Sequence, residues 1–219
     1  MHFEAYAATR PQEGRSGNEG AFAILRDGPL VAAVADGAGA AGRAAAGVLR
    51  RFGRWVVEDG PEALERFPSW ERWIGGLDSS ILGGGESTFL ALAALAGPGP
   101  RRGRLVGAWV GDSRAYRIDR EGGVELLTDG SSRFRLGSGR VEPRPIHLPV
   151  EPGELVLLLT DGAWTPLAGS PYRLGRLVME AALRHLSEVP PAILDAASRA
   201  GRADDMTAVV VRGRAALGW

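Results

Sequence analysis

Four carboxylate positions fall where runs of apolar residues meet turns. Residues 30–36 read LVAAVAD and are followed by Gly37. Residues 105–110, LVGAWV, lead into Gly111-Asp112-Ser113. Residues 155–159, LVLLL, lead into Thr160-Asp161-Gly162. Asp204-Asp205 stands before the closing run 206–211, MTAVVV. Short apolar runs bounded by Gly, Pro or Asp read as buried strands. A carboxylate at the mouth of such a strand is costly to bury unless something pairs with it. Asp-Gly is also an ordinary turn pair, and for each position taken alone that reading stays open. Side chains from different strand ends can instead converge on one mouth of a sheet. Several aspartates gathered there repel one another unless cations neutralise them. A donor set made only of oxygen selects hard ions: Mg²⁺, Mn²⁺ or Ca²⁺. Two such ions sharing a carboxylate can hold a water, lower its pKa and aim it at phosphorus.

Strands must carry these carboxylates, and the pattern supplies them. Residues 3–9 read as a first strand, and 21–36 as a hairpin turning at Arg26-Asp27-Gly28-Pro29. An Ala-rich, then amphipathic stretch over 41–58 predicts a helix. A second helical region, 61–82, is opened by Pro61 in a first-turn position and broken near Pro68. Its Trp70, Trp73 and Ile74, with Trp55 before them, are expected to face the core. Strands follow at 87–96, 105–110, 114–119 and 124–127, then an irregular stretch rich in Arg, Gly and Pro over 131–150. After the strand at 155–159 come helices near 172–187 and 190–200, and 206–213 closes the chain as a strand. Several of these strands are joined by turns too short for a crossover, so those pairs must be antiparallel. The helices come as two separate pairs. The expected class is α+β, antiparallel sheets covered by helices.

Composition removes other chemistries. The chain has 219 residues, 45% of them hydrophobic, which suits one domain with a proper core. Its 26 basic and 26 acidic residues balance, so a general affinity for nucleic acid or an anionic membrane is not expected. No apolar run approaches the roughly 20 residues of a membrane span. The opening MHFEAYAATRPQEGR lacks the basic-then-apolar form of a signal peptide, and a cytoplasmic location is expected. There is no Cys, which excludes disulfides, thiolate zinc sites and cysteine nucleophiles. His2, His147 and His185 are scattered and form no short metal-binding pair.

The segments VADGAGAAG, GDSRAY, LVLLLTDGAW and DDMTAVVV occur in this order, and together they resemble the metal-dependent protein phosphatase family. These are the type 2C serine/threonine phosphatases, here in a compact bacterial form. The resemblance spans nearly the whole chain. It implies a sandwich of two antiparallel β-sheets flanked by helix pairs, one domain over 1–219, with a short flap-like segment near 131–146. It implies hydrolysis of phosphoserine or phosphothreonine esters by a metal-bridging hydroxide, with two Mn²⁺ or Mg²⁺ ions and a weaker third. Asp36 would bridge two ions, with the Gly37 carbonyl on one; Asp161 and Asp204 would ligate the other. Asp112 would help hold the third. RSGNEG resembles the R-x-x-N-E-D of the family, so Arg15 would clamp the substrate phosphate and Glu19 would reach a metal directly or through water. Asp129 and Asp205 are expected to shape loops. The implied partner is a phosphoprotein dephosphorylated in opposition to a Ser/Thr kinase, by a monomer that binds neither nucleic acid nor membrane.

Three departures weaken the match. Gly20 stands where the family has an Asp that holds metal-bound water. The loop after Asp36 is short and has Ala40 for a Gly, and Glu86 precedes Ser87-Thr88. The alternative that Gly20 raises is a catalytically weak phosphatase fold that binds phosphoproteins or regulates, in which Gly20→Asp would restore activity. In the flap-like segment, Arg133, Arg135, Arg140 and Arg144 are compatible with docking of an acidic phosphopeptide. The favoured expectation is a solvated Arg-rich loop.

Overall fold

Strand pairing sorts the apolar runs into two sheets. A computed structural model describes residues 1–14, 17–38, 44–97, 102–128, 134–201 and 204–215. In chain order the strands are β1 (His2–Arg10), β2 (Gly20–Leu25), β3 (Leu30–Ala38), β4 (Glu86–Ser87), β5 (Phe89–Ala96), β6 (Gly103–Val110), β7 (Arg114–Ile118), β8 (Val124–Leu126), β9 (Arg144–Val150), β10 (Leu155–Leu159) and β11 (Met206–Arg214). The helices are α1 (Ala44–Leu64), α2 (Phe67–Ile81), α3 (Asp161–Trp164), α4 (Pro171–Arg184) and α5 (Val189–Arg199). One sheet has the order β1-β11-β10-β7-β8. The other has β2-β3-β5-β6-β9, with β4 paired to β3. Every described pair is antiparallel, as the short turns require.

Side-chain alternation along each strand builds three apolar layers. Val31, Ala33 and Ala35 of β3 face α1 and α2, where Phe52, Trp55, Trp70, Trp73 and Phe89 pack ring against ring. Leu155, Leu157 and Leu159 of β10 face α4 and α5, meeting Val178, Ile193 and Leu194. The alternate residues point between the sheets: Ala32, Val34, Leu90, Leu92, Trp109, Val156, Leu158, Val209 and Val211. The architecture is a β-sandwich with a helical layer on each outer face, in agreement with the α+β expectation. Among the described residues no helix is long and apolar enough to cross a membrane.

Two elements differ from the sequence reading. The stretch 131–150 is not irregular to its end, because Arg144–Val150 is a strand paired with β6. Pro145 and Pro149 argue against a central strand, but β9 is an edge strand, where a residue without an N–H is tolerated. Its Ile146, Leu148 and Val150 are buried in alternation. The first helix runs on past residue 58 to Leu64, with a break at Gly60 (φ 71°) just before Pro61. Gly tolerates that positive φ, and the break explains why Pro61 reads as a helix start.

Candidate metal centre

The inward alternation ends in polar residues at one mouth of the sandwich. Continuing the interlayer face by two residues gives Asp36 after Val34, Thr160 after Leu158, and Thr88 and Thr207 before Leu90 and Val209. All four are buried, as is Ser113 two residues before the interlayer Ala115. Their hydroxyls hold one another and the backbone. The Asp36 N–H donates to Thr88 Oγ1 (2.9 Å), which shares a hydrogen bond with Ser113 Oγ (2.9 Å). The Thr88 N–H donates back to the Asp36 carbonyl (2.8 Å). The Thr207 N–H donates to Thr160 Oγ1 (2.9 Å). GDS and STF, far apart in sequence, thus form one scaffold under Asp36.

Two glycines let the carboxylates approach. Gly111 has φ 91°, and a Cβ there would stand 2.8 Å from the Thr88 methyl, so only Gly permits this turn. A Cβ on Gly162 would collide with the Asp205 carbonyl and lie 3.1 Å from Asp204 Cβ. Its absence lets the start of α3 lie against the 204–205 loop. Asp205, 1% exposed, accepts the N–H groups of Gln12 (2.5 Å) and Glu19 (2.6 Å) and so ties the N-terminal loop to β11.

Asp36 and Asp161 come together. The Asp36 carboxyl is pushed up from 3.8 to about 8, chiefly by burial, then by the charge of Asp161 and a hydrogen bond with it. Asp204 adds a smaller push, and Arg135 pulls the other way. Asp161 Oδ1 and Asp112 Oδ1 are buried without a hydrogen-bond partner. Two carboxylates in contact, with a buried Asp161 oxygen that has no donor, are what a hard cation would satisfy. No group of three acidic or imidazole side chains is assembled for a metal among the described residues. The assembled unit is the Asp36–Asp161 pair, with Asp204 near enough to feel. Gly37 pairs with Ser87 of β4, and its N–H donates to the Glu19 carbonyl (3.2 Å), which sets the Glu19 backbone beside Gly37. Arg15 and Asp129 lie outside the described residues, as do Ala40 and Arg133.

Asp112 stands at the edge of this group. Its Oδ2 accepts from the Arg135 guanidinium at 2.7 Å, and its carbonyl accepts from Trp164 Nε1 at 2.9 Å. The Arg114 guanidinium lies 3.4 Å above the Trp164 ring, a cation–π contact. A cavity of about 480 Å³ opens here, lined by Asp112, Ser113, Arg114, Thr128, Asp161 and Trp164 among others. Glu86 is exposed on β4. Arg140 is exposed as well, but Arg135 is not the solvated residue the sequence favoured. The next residue, Leu136, is fully buried and exchanges both backbone hydrogen bonds with Ser87.

Gly20 opens β2 directly opposite Asp36. A Cβ on Gly20 would stand 2.7 Å from Thr207 Oγ1 and 3.3 Å from Asn18 Oδ1. Both belong to a knot with Thr9: Thr9 Oγ1 bonds Thr207 Oγ1 (2.9 Å) and accepts from Asn18 Nδ2 (2.8 Å). Neutral groups therefore occupy the ground beside Asp36 where the resemblance expects an acid.

The family model for Stage II sporulation protein E (SpoIIE) matches residues 26–214, and the chain belongs to that family. Its fold is that of the type 2C serine/threonine phosphatases. The S. agalactiae serine/threonine phosphatase is 21% identical with a TM-score of 0.81, covering 96% of this chain and 99% of that one. Serine/threonine phosphatase Stp1 from Staphylococcus aureus is 18% identical with a TM-score of 0.82, covering 100% and 96%. The catalytic domain of serine/threonine protein phosphatase PstP, solved with two manganese ions, is 20% identical with a TM-score of 0.73, covering 96% and 97%. No curated protein matches the sequence.

Proposed function

We propose that the chain is a metal-dependent phosphatase acting on phosphoserine and phosphothreonine esters of proteins. The observation that carries this reading is the Asp36–Asp161 pair with its unpartnered oxygen, at the mouth of a type 2C fold. Asp36, the Gly37 carbonyl, Asp161 and Asp204 would hold two Mn²⁺ or Mg²⁺ ions, with Glu19 beside them. Bound there, such ions would supply an activated water and positive charge for the phosphoryl oxygens.

The chain's own residues do the rest. Thr88 and Ser113 fix the backbone that carries Asp36, so its carboxylate meets a ligand without rearranging. The tie from Asp205 keeps Glu19 at the mouth. Arg15 is assigned to the substrate phosphate, for which a planar guanidinium fork is suited. A cytoplasmic monomer opposing a Ser/Thr kinase completes the reading.

One observation favours a second reading, a weakly catalytic fold that binds phosphoproteins. It is the neutral Thr9–Asn18–Thr207 knot at Gly20. Hydrolysis of p-nitrophenyl phosphate, with and without Mn²⁺, separates the two when the native chain is assayed beside Asp161→Asn. Activity that needs Mn²⁺ and disappears in the variant is expected. An inactive native chain that Mn²⁺ still stabilises against heat would move the assignment to the second reading.

A further inference from the structure

We infer that Arg135 is the resident counter-ion of Asp112 and keeps that carboxylate from binding a third metal ion. This rests on the metal reading of the Asp36–Asp161 pair. The Arg135 guanidinium donates to Asp112 Oδ2 at 2.7 Å. It also lies close enough to Asp161 and Asp36 to feel both charges. A cation drawn to Asp112 would have to displace a guanidinium already bonded there, and would gain a like-charged neighbour in doing so.

The arm that carries Arg135 is fixed. Leu136 is fully buried and exchanges two backbone hydrogen bonds with Ser87, at 2.8 and 3.0 Å. The buried Asp78 carboxylate of α2 accepts the N–H groups of Gly137 (2.6 Å) and Gly139 (3.2 Å). The Arg135 carbonyl accepts the Ser138 N–H at 3.2 Å. The backbone therefore delivers the guanidinium to Asp112 with little ordering left to do, which favours the ion pair over a competitor from solution. Trp164 Nε1 donates to the Asp112 carbonyl at 2.9 Å and holds its backbone.

The test counts ions rather than turnover. Mn²⁺ bound per chain is measured by electron paramagnetic resonance of the free ion, titrated into the millimolar range. The native chain is expected to bind two ions, and Arg135→Gln three, the third at least about tenfold tighter than in the native chain, the low end of what changes around a metal ligand produce. Arg135→Gln/Asp112→Asn should return to two, Asp112→Asn alone should keep two, and Arg135→Lys should keep two. A count of two in Arg135→Gln would overturn the inference. So would a native count of three that falls to two in Asp112→Asn. A native chain that binds no Mn²⁺ would overturn the metal reading itself, and this inference with it.

Discussion

Replacing Asp36 by Asn should stabilise the metal-free protein, and by an amount that grows with pH. The Asp36 carboxyl is raised from 3.8 to about 8 in the folded chain. A raised acid contributes its full stability below the unfolded value and loses it as pH rises through the folded one. Between pH 5 and pH 8 the unfolded chain has already released this proton while the folded chain still holds it. Each pH unit then costs the native state about 1.4 kcal/mol, or about 4 kcal/mol across the window. For a chain of this size about 1 kcal/mol moves Tm by roughly 2–4 °C, so the native Tm should fall by about 8–16 °C relative to Asp36→Asn over that window. Asn keeps the backbone N–H that Thr88 accepts, so the scaffold survives the change. The assay is thermal unfolding in EDTA at several pH values, read as the difference between the two proteins so that other titrations cancel. Adding Mn²⁺ at about 100 times its Kd should return about 2.7 kcal/mol to the native chain and nothing to the variant. Parallel curves from pH 5 to 8 would refute the argument, because they would mean that Asp36 is neither desolvated nor pressed by Asp161.

Gly20→Asp should not restore an acidic ligand shell. Its Cβ would meet the Thr207 hydroxyl at 2.7 Å, so it should cost about 1–3 kcal/mol of stability and leave hydrolysis unchanged or lower, whereas adding Thr207→Ala should recover stability. A rise in kcat/KM for the single variant, at unchanged Tm, would show that the Thr9–Asn18–Thr207 knot yields. Asp78→Ala should leave the Gly137 and Gly139 N–H groups without their acceptor, at about 1–3 kcal/mol for each that stays buried. Amide exchange at Gly137 should quicken well before the β5 and β6 amides do, and unchanged protection there would refute the anchoring role.

The sandwich and its helical layers were legible because period-two alternation and short turns leave few arrangements for this many strands. The same alternation accounts for the floor of the site, which the sequence reading did not single out. Val34 to Asp36, Leu158 to Thr160, Leu90 to Thr88 and Val209 to Thr207 are steps of two, so each polar residue had to share the face of its apolar neighbour. What could not be read were contacts whose partners have no fixed spacing. Asp78 looks like one more polar residue on an amphipathic helix, and nothing in Arg135-Leu136-Gly137 announces that its amides lie on that carboxylate. β9 was hidden by two prolines that mean one thing in a central strand and another at an edge. Gly20 was legible as a missing acid but not as a filled space, because Thr207 lies nearly the whole chain away.

The metal-ligand candidates sit where this fold spends stability rather than gains it. Along each strand the inward face runs apolar until its last position. There a hydroxyl closes the layer cheaply, since Thr88, Ser113, Thr160 and Thr207 can bond one another or the backbone. A carboxylate at the same position cannot, because a carboxylate only accepts. Asp36 therefore departs from the local rule its neighbours obey, and the molecule answers with raised proton affinity rather than a donor. Asp112, beside Ser113 in the turn after β6, is a second carboxylate near this mouth, and there the answer is Arg135. Such local conflicts are expected where function has set the residue against the fold. The two aspartates differ in one respect that matters: Asp112 has a guanidinium bonded to it within the chain, whereas Asp36 and Asp161 press chiefly on each other.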